Sequence, residues 1–105
     1  MPQRRGLSAA NLAFLRQVGS AEDGRPCWLY RQPRNRWQLV EWSDGCLREA
    51  PYCKNGSTLA QMEAMGLIEY GPDTYLPAPF NEGFGSTVIL TAAGRRTLGA
   101  AGVAL

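Results

Sequence analysis

Three arginines within six residues form the densest basic cluster of this sequence: Arg31, Arg34 and Arg36, in the segment "RQPRNR". A guanidinium group binds phosphate oxygens through two parallel hydrogen bonds, and phosphate neutralisation supplies much of the affinity of proteins for nucleic acids. The cluster therefore predicts contacts with a nucleic-acid backbone. The alternative interpretation is a solvated hairpin turn that contacts nothing.

The remaining charge is distributed unevenly along the chain. Residues 1–54 carry nine Lys and Arg against five Asp and Glu, whereas residues 55–105 carry two against four. In the second half, Glu63 and Glu82 would repel a phosphate backbone. An anionic partner is therefore expected to contact mainly the first half of the chain.

Residues suited to catalysis or metal binding are sparse. The chain has no histidine, which removes the commonest general base and metal ligand. Cys27, Cys46 and Cys53 lack the two-residue spacing of a zinc site, and neither a cofactor-binding loop nor a recognisably spaced carboxylate pair is present. We therefore expect a binding protein that is not an enzyme and that uses no cofactor and no metal.

Length and hydropathy indicate the class of protein. A chain of 105 residues is expected to form one domain over residues 1–105, with residues 1–7 as a flexible arm that carries Arg4 and Arg5. Residues 99–105 are expected to extend the last helix or to fray. No apolar run reaches the ~18 residues of a membrane span, and no signal-peptide pattern is present. We expect a cytoplasmic protein with no membrane partner.

The first half predicts one helix and a tryptophan-rich β-hairpin. Ser8 is suited to cap the helix, and Gly19 to end it in the left-handed conformation. The segments "CWLY" and "WQLVEW" are rich in aromatic and branched residues and predict two strands joined by the arginine-bearing turn. "CLRE" is expected to pair back after the turn "SDG". Pro51 and the "KNG" at residues 54–56 then predict a loop.

The second half predicts a short helix, a second hairpin and a last helix. Ser57 is suited to cap a helix from Thr58 to Met65, and Gly66 to end it. "LIEY" predicts a strand, "GPDT" a turn and "YL" the start of a return strand. Residues 77–86 predict an exposed loop, and "TVIL" predicts the strand before a helix capped by Thr91.

This order of elements resembles a winged helix-turn-helix domain. The ending "VILTAAGRRTL", with Leu90, Thr91, Gly94 and Arg95, is similar to an element of winged-helix regulators such as the multiple-antibiotic-resistance family. The segment "STLAQMEAMGLIEYG" resembles their recognition helix and the strand after it. "RWQLVEWSDG" resembles a hairpin of small phage and prophage proteins. The resemblance implies an α+β winged-helix fold, with the tryptophan-rich hairpin before a recognition-type helix and a β-hairpin wing after it.

A winged-helix fold would place the short helix in the major groove of double-stranded DNA. Gln61 would then read adenine, Ser57 and Thr58 would contact base or phosphate, and the helix N-terminus would favour an anion. The residues that the resemblance assigns to this contact are Lys54, Asn55, Ser57, Thr58 and Gln61, with Arg31, Arg34 and Arg36 on the phosphates. The implied function is that of a small DNA-binding regulator.

The alternative function is a protein-binding module. The first hairpin carries more large rings than a small core needs, namely Trp28, Tyr30, Trp37 and Trp42, and Trp and Tyr anchor many protein interfaces. Phe80 and Phe84 would add a second contact. One form is a phage-type inhibitor of host nucleic-acid machinery, anti-CRISPR-like, with a host protein complex as partner. The C-terminal helix is the candidate surface for a homodimer.

Overall fold

The structure, a computed structural model, describes residues 7–20, 27–43, 45–76 and 83–103. Its helices and strands occur in the order α1 (Ala9–Gly19), β1 (Cys27–Gln32), β2 (Arg36–Ser43), β3 (Cys46–Asn55), α2 (Gly56–Ala64), β4 (Ile68–Tyr75), β5 (Phe84–Leu90) and α3 (Ala92–Ala100). The predicted basic arm with Arg4 and Arg5 lies outside the described residues, as do Phe80 and Glu82 of the predicted loop.

All five strands belong to one antiparallel sheet with the order β3-β2-β1-β5-β4. Trp28 in β1 pairs with Val40 of β2 on one side and with Thr87 of β5 on the other, so the two predicted hairpins share one sheet. The prediction of a winged helix is therefore wrong. Its hairpin wing, β4 and β5, is two of the five strands of a larger sheet. Residues 46–55, where a helix should precede the recognition helix, form the edge strand β3.

Both edge strands contain a proline at or near an irregularity in the pairing. Pro51 lies in β3, next to the bulge between Gln38 and Val40 of β2, and Pro72 lies in β4 at the shift between Tyr70 and Asp73. Proline lacks an N–H donor but is tolerated where a strand has no partner on one side. The predicted loop at Pro51 and the predicted turn at "GPDT" are therefore both strand.

The helix ends follow local side-chain chemistry. The hydroxyls of Ser8 and Thr91 accept hydrogen bonds from the N–H groups three residues on, at 3.1 and 2.9 Å, and confirm both predicted caps. Gly66 has a φ of +76° and closes α2 as predicted. Gly19 is the last residue of α1, and its φ is not among the positive ones, so the left-handed ending predicted for it is wrong.

The helices cover one face of the sheet, which we call the helix face. Buried residues of three strands pack there against buried residues of all three helices: Leu29, Leu39, Val88, Phe14, Leu15, Met62 and Leu98. On the opposite face, Val40 and Leu76 are buried beside Trp28, Tyr30 and Leu47. Two small clusters on either side of the sheet therefore form the core.

The segment after α3 is joined back to that helix. The N–H of Val103 donates to the carbonyl of Leu98 at 2.9 Å, and Val103 packs against the main core cluster. Residues 99–103 thus end α3 in an ordered turn, with Gly102 at a φ of +78°. Within the part of the chain that the structure describes, no helix combines the length and the apolar composition needed to cross a bilayer.

Candidate nucleic-acid interface

The turn that joins β1 to β2 packs against the start of α2. The N–H of Gly56 donates to the carbonyl of Asn35 at 2.9 Å, and Arg36 pairs with Asn55 in the sheet register. A Cβ at position 56 would lie 2.6 Å from the Asn35 side-chain amide, so a larger residue here would displace that side chain. Arg34 and Asn35 have φ values of +66° and +56°, which close the turn. The arginine-bearing turn and the beginning of the short helix therefore lie at one end of the sheet.

Strand alternation separates the three arginines of this turn. Arg31 pairs with Trp37 on the helix face, where its guanidinium carbon lies 6.0 Å from the ring centroid. Arg36 lies on the opposite face, and its Nε donates to Cys53 Sγ at 3.3 Å. Arg34 is exposed in the turn itself. The predicted cluster is therefore not one surface, because Arg36 projects away from Arg31.

Lys54 joins Arg31 on the helix face. It pairs with Trp37 across the β2–β3 ladder, on the side of Trp37 away from Arg31. Its side chain is half-buried, and this burial lowers the pKa of the ammonium group from its usual value of 10.5. Lys54, Trp37 and Arg31 thus alternate cation, ring and cation across three neighbouring strands.

The same line of residues continues across β5 and β4. The register that pairs Tyr30 with Gly85 places Phe84 beside Arg31 when it is extended by one residue, and Phe84 pairs with Tyr75. The rings of Phe84 and Tyr75 meet edge to face, with centroids 5.2 Å apart. We call the five residues Lys54, Trp37, Arg31, Phe84 and Tyr75 the basic–aromatic row. With a strand spacing of about 4.8 Å, the row spans roughly 19 Å.

A cavity of about 360 Å³ lies between α2 and the sheet, adjacent to this row. Trp37 belongs to the row and also lines the cavity. Leu59 and Glu63 line the cavity from α2, and Tyr70 and Ser86 line it from β4 and β5. Trp37 is therefore the residue at which the row meets the cavity, and we call the row and the cavity together the depression.

Two carboxylates lie at the depression, Glu63 in the lining of the cavity and Asp73 on β4 opposite the lining residue Ser86. Asp73 accepts a hydrogen bond from Ser86 Oγ at 2.9 Å. Glu63 lines the cavity, where burial and then the charge of Glu63 raise the pKa of the Tyr70 hydroxyl. The depression is thus basic toward Arg31 and acidic toward Asp73 and Glu63.

The residues predicted to read DNA from the start of α2 are used within the protein. Asn55 Oδ1 accepts from the Thr58 N–H at 2.9 Å and from Ser57 Oγ at 2.9 Å, so Asn55 caps α2 where Ser57 was expected to do so. Gly56 N–H is already bonded to the turn. Gln61 is exposed, about 100° around the helix from the cavity-lining residue Ala60. The structure therefore brings Lys54 to the arginine turn but engages the side chains of Asn55 and Ser57 in the cap of α2, where Thr58 contributes its backbone N–H.

Sequence reasoning missed Tyr75 and assigned Phe84 to a loop. Phe84 lies on the helix face with Ser86, Val88 and Leu90, but β5 also has buried residues on its other face, namely Gly85 and Thr87. The segment "FGSTVIL" has no two-residue alternation of apolar and polar residues. The glycine and proline residues before it favoured a loop. No sequence signal therefore identified Phe84 as a site residue.

The surfaces predicted for protein contacts do not form one patch. Trp28, Tyr30 and Trp42 lie on the opposite face, whereas Trp37 lies on the helix face. In α3, Leu98 is buried against the core, while Arg95 and Arg96 are exposed. A homodimer through this helix stays a prediction.

Comparisons of the chain with protein-family models, with curated proteins and with solved structures gave no significant match.

Proposed function

We propose that this protein binds nucleic acid without acting on it as an enzyme, through phosphate contacts from Arg31, Arg34 and Lys54. The observation that carries the proposal is the bond from Gly56 N–H to the Asn35 carbonyl, which holds the arginine turn beside the end of β3. Three cations from two stretches of sequence thereby lie at one end of the sheet, Arg31 and Arg34 from the turn and Lys54 from β3. Since the chain has no histidine, we favour binding over catalysis.

The number of cations sets the expected strength. Each phosphate contact contributes about 0.7 to 0.9 to the slope of log affinity against log salt, so three contacts give a slope of roughly −2 to −3. Between 50 and 200 mM salt the affinity should then fall roughly 20- to 40-fold. Such a protein is a modest binder, weaker than regulators that make 6 to 10 contacts.

The contacts expected here are to the backbone and not to base edges in a duplex groove. Asn55 caps α2 and Ser57 Oγ donates to it, so neither side chain projects freely, and Gln61 is the one exposed amide on that helix. Base reading in the major groove depends on side chains that project freely from the beginning of a helix. The arrangement therefore supports phosphate contact as the main source of affinity.

Fluorescence anisotropy with labelled 12-nucleotide single strands and duplexes, each titrated at 50 and 200 mM salt, tests the proposal. We expect binding with the stated slope, and a triple variant in which Arg31, Arg34 and Lys54 are alanine should bind neither probe. A melting curve for the triple variant is the folding control. Affinity that is absent at 50 mM salt, or equal at both salt concentrations, would overturn the proposal.

One observation favours a protein partner as the second candidate. Phe84 and Tyr75 are 61% and 54% exposed and form a ring pair next to Arg31, and aromatic residues beside arginine are typical anchors of protein interfaces. A Phe84→Asp variant should then lose a partner that the unaltered protein retains in the same purification, while its own melting temperature stays unchanged.

A further inference from the structure

We infer that the basic–aromatic row is a platform for unpaired bases, so that the nucleic acid bound by this protein is single-stranded. The inference rests on the proposed function and adds the form of the ligand. It follows from the order of side chains in the row, from the exposure of Phe84 and Tyr75 and from the position of the nearby carboxylates.

The order of side chains suits a strand laid across the sheet. Arg31 lies between Trp37 and Phe84, so a phosphate held by its guanidinium would have a ring on either side. Successive bases of a single strand stack on aromatic side chains, and sheet platforms of this kind hold about two or three bases. A length of roughly 19 Å at the usual strand spacing accommodates that number.

The exposed rings distinguish a single strand from a duplex. Phe84 and Tyr75 present apolar ring surface to solvent beside a guanidinium group, and a base face would cover it. The bases of a duplex are stacked on one another, so a duplex has no faces to offer to this part of the row. Duplex binding would use the cations alone and leave both rings uncovered.

The carboxylates set which side of the strand faces the cavity. Asp73 and Glu63 would repel phosphates, so the backbone must follow Lys54, Arg31 and Arg34. Base edges then point toward the cavity, where a carboxylate can accept from an exocyclic amino group, as Asp and Glu do with cytosine. The cavity volume of about 360 Å³ is large enough for a base. Charge complementarity therefore holds at both sides of the depression.

Three probes of equal length separate base stacking from phosphate contact: a 12-nucleotide single strand, an abasic strand with the same phosphates, and a duplex. At 100 mM salt the single strand should bind at least about fivefold more tightly than the abasic strand. Phe84→Ala should weaken single-strand binding roughly 5- to 150-fold and leave abasic binding unchanged. Tyr75→Ala should act in the same direction.

Two further variants act as controls. Ile89→Ala removes an exposed apolar side chain from the opposite face of the same strand and should change no affinity. Phe84→Tyr keeps the ring and should retain binding, which guards against a variant that simply misfolds. Equal affinity for the abasic and normal strands, tighter duplex binding, or full binding by Phe84→Ala would overturn the inference while the proposed function stands. Failure of all three probes at 50 mM salt would overturn the proposed function itself.

Discussion

Replacing Arg31 and Arg36 by alanine, one at a time, tests whether these two arginines lie on different faces of the sheet. The two residues are close in sequence and carry the same charge. However, Arg31 lies over Trp37 on the helix face, whereas Arg36 donates to Cys53 on the opposite face. A ligand on the basic–aromatic row contacts the first and not the second. The pair is therefore a matched test of the face on which nucleic acid lies.

The magnitude follows from counterion release. Removing one phosphate contact with a single strand lowers the salt slope by about 0.7, which corresponds to roughly a fivefold weaker affinity at 100 mM salt. Arg31→Ala should show both changes. Arg36→Ala should weaken binding less than about twofold, because this variant retains the phosphate contacts of Arg31, Arg34 and Lys54. It removes only a more distant positive charge, whose electrostatic effect salt screens over about 10 Å.

Anisotropy titrations at 50, 100 and 200 mM salt measure the slope and the affinity for each variant in the same series. Thermal melts of both variants show whether either substitution disturbs the fold. Equal losses for Arg31→Ala and Arg36→Ala, or a larger loss for Arg36→Ala, would refute the assignment of the ligand to the helix face.

Three other predictions concern the scaffold. In α3, Gly94→Ala should cost about 1 to 3 kcal/mol of unfolding free energy by overpacking against the Leu67 carbonyl, whereas Gly99→Ala meets nothing within 4 Å and should gain up to about 1 kcal/mol; urea denaturation measures both. Asn55→Ala should cost about 1 kcal/mol by uncapping α2 and leave nucleic-acid affinity within about twofold; a loss of affinity with normal stability would restore its predicted role in DNA contact. Burial raises the pKa of Cys27 from 9.0 to about 12, so the unfolded thiol ionises first and stability falls over that pH range. Between pH 8 and 10.5 the free energy of unfolding of the unaltered protein should fall by ~2 kcal/mol more than that of the Cys27→Ala variant. Parallel plots of unfolding free energy against pH for the two proteins would contradict this cause.

The parts of the fold that could be predicted are those determined within a few residues. A Ser8 or Thr91 hydroxyl reaches the N–H three residues on, and Gly66 supplies a positive φ, whatever the rest of the chain does. The strands of the first hairpin were also predictable, because segments rich in branched and aromatic residues lie on both sides of a polar turn. These local features can be predicted without knowing which residues pack against them.

The edge strands were predicted only in part, at "CLRE" and "LIEY", because the stability of the remaining residues depends on their position in the sheet. Pro51 and Pro72 normally interrupt strands, yet each lies in an outer strand near a bulge, where a missing N–H leaves no ladder bond broken. Whether a strand lies at the edge of the sheet depends on how the other strands of the sheet pair with one another. The winged-helix prediction failed at this point, since the pairing of β1 with β5 was not visible in either hairpin alone.

The candidate site depends on the same long-range pairing. The length of the turn determines that Arg31 and Arg36 lie on different faces. The register of β1 against β5, two strands more than fifty residues apart in sequence, determines that Arg31 lies beside Phe84. Charge density alone predicted a phosphate contact at the turn but assigned all three arginines to it. Because side chains in a strand alternate, a shift of one residue in the pairing of β1 with β5 would place Phe84 and Arg31 on opposite faces and disrupt the row. The register of β1 against β5 is therefore the structural feature on which the proposed ligand depends.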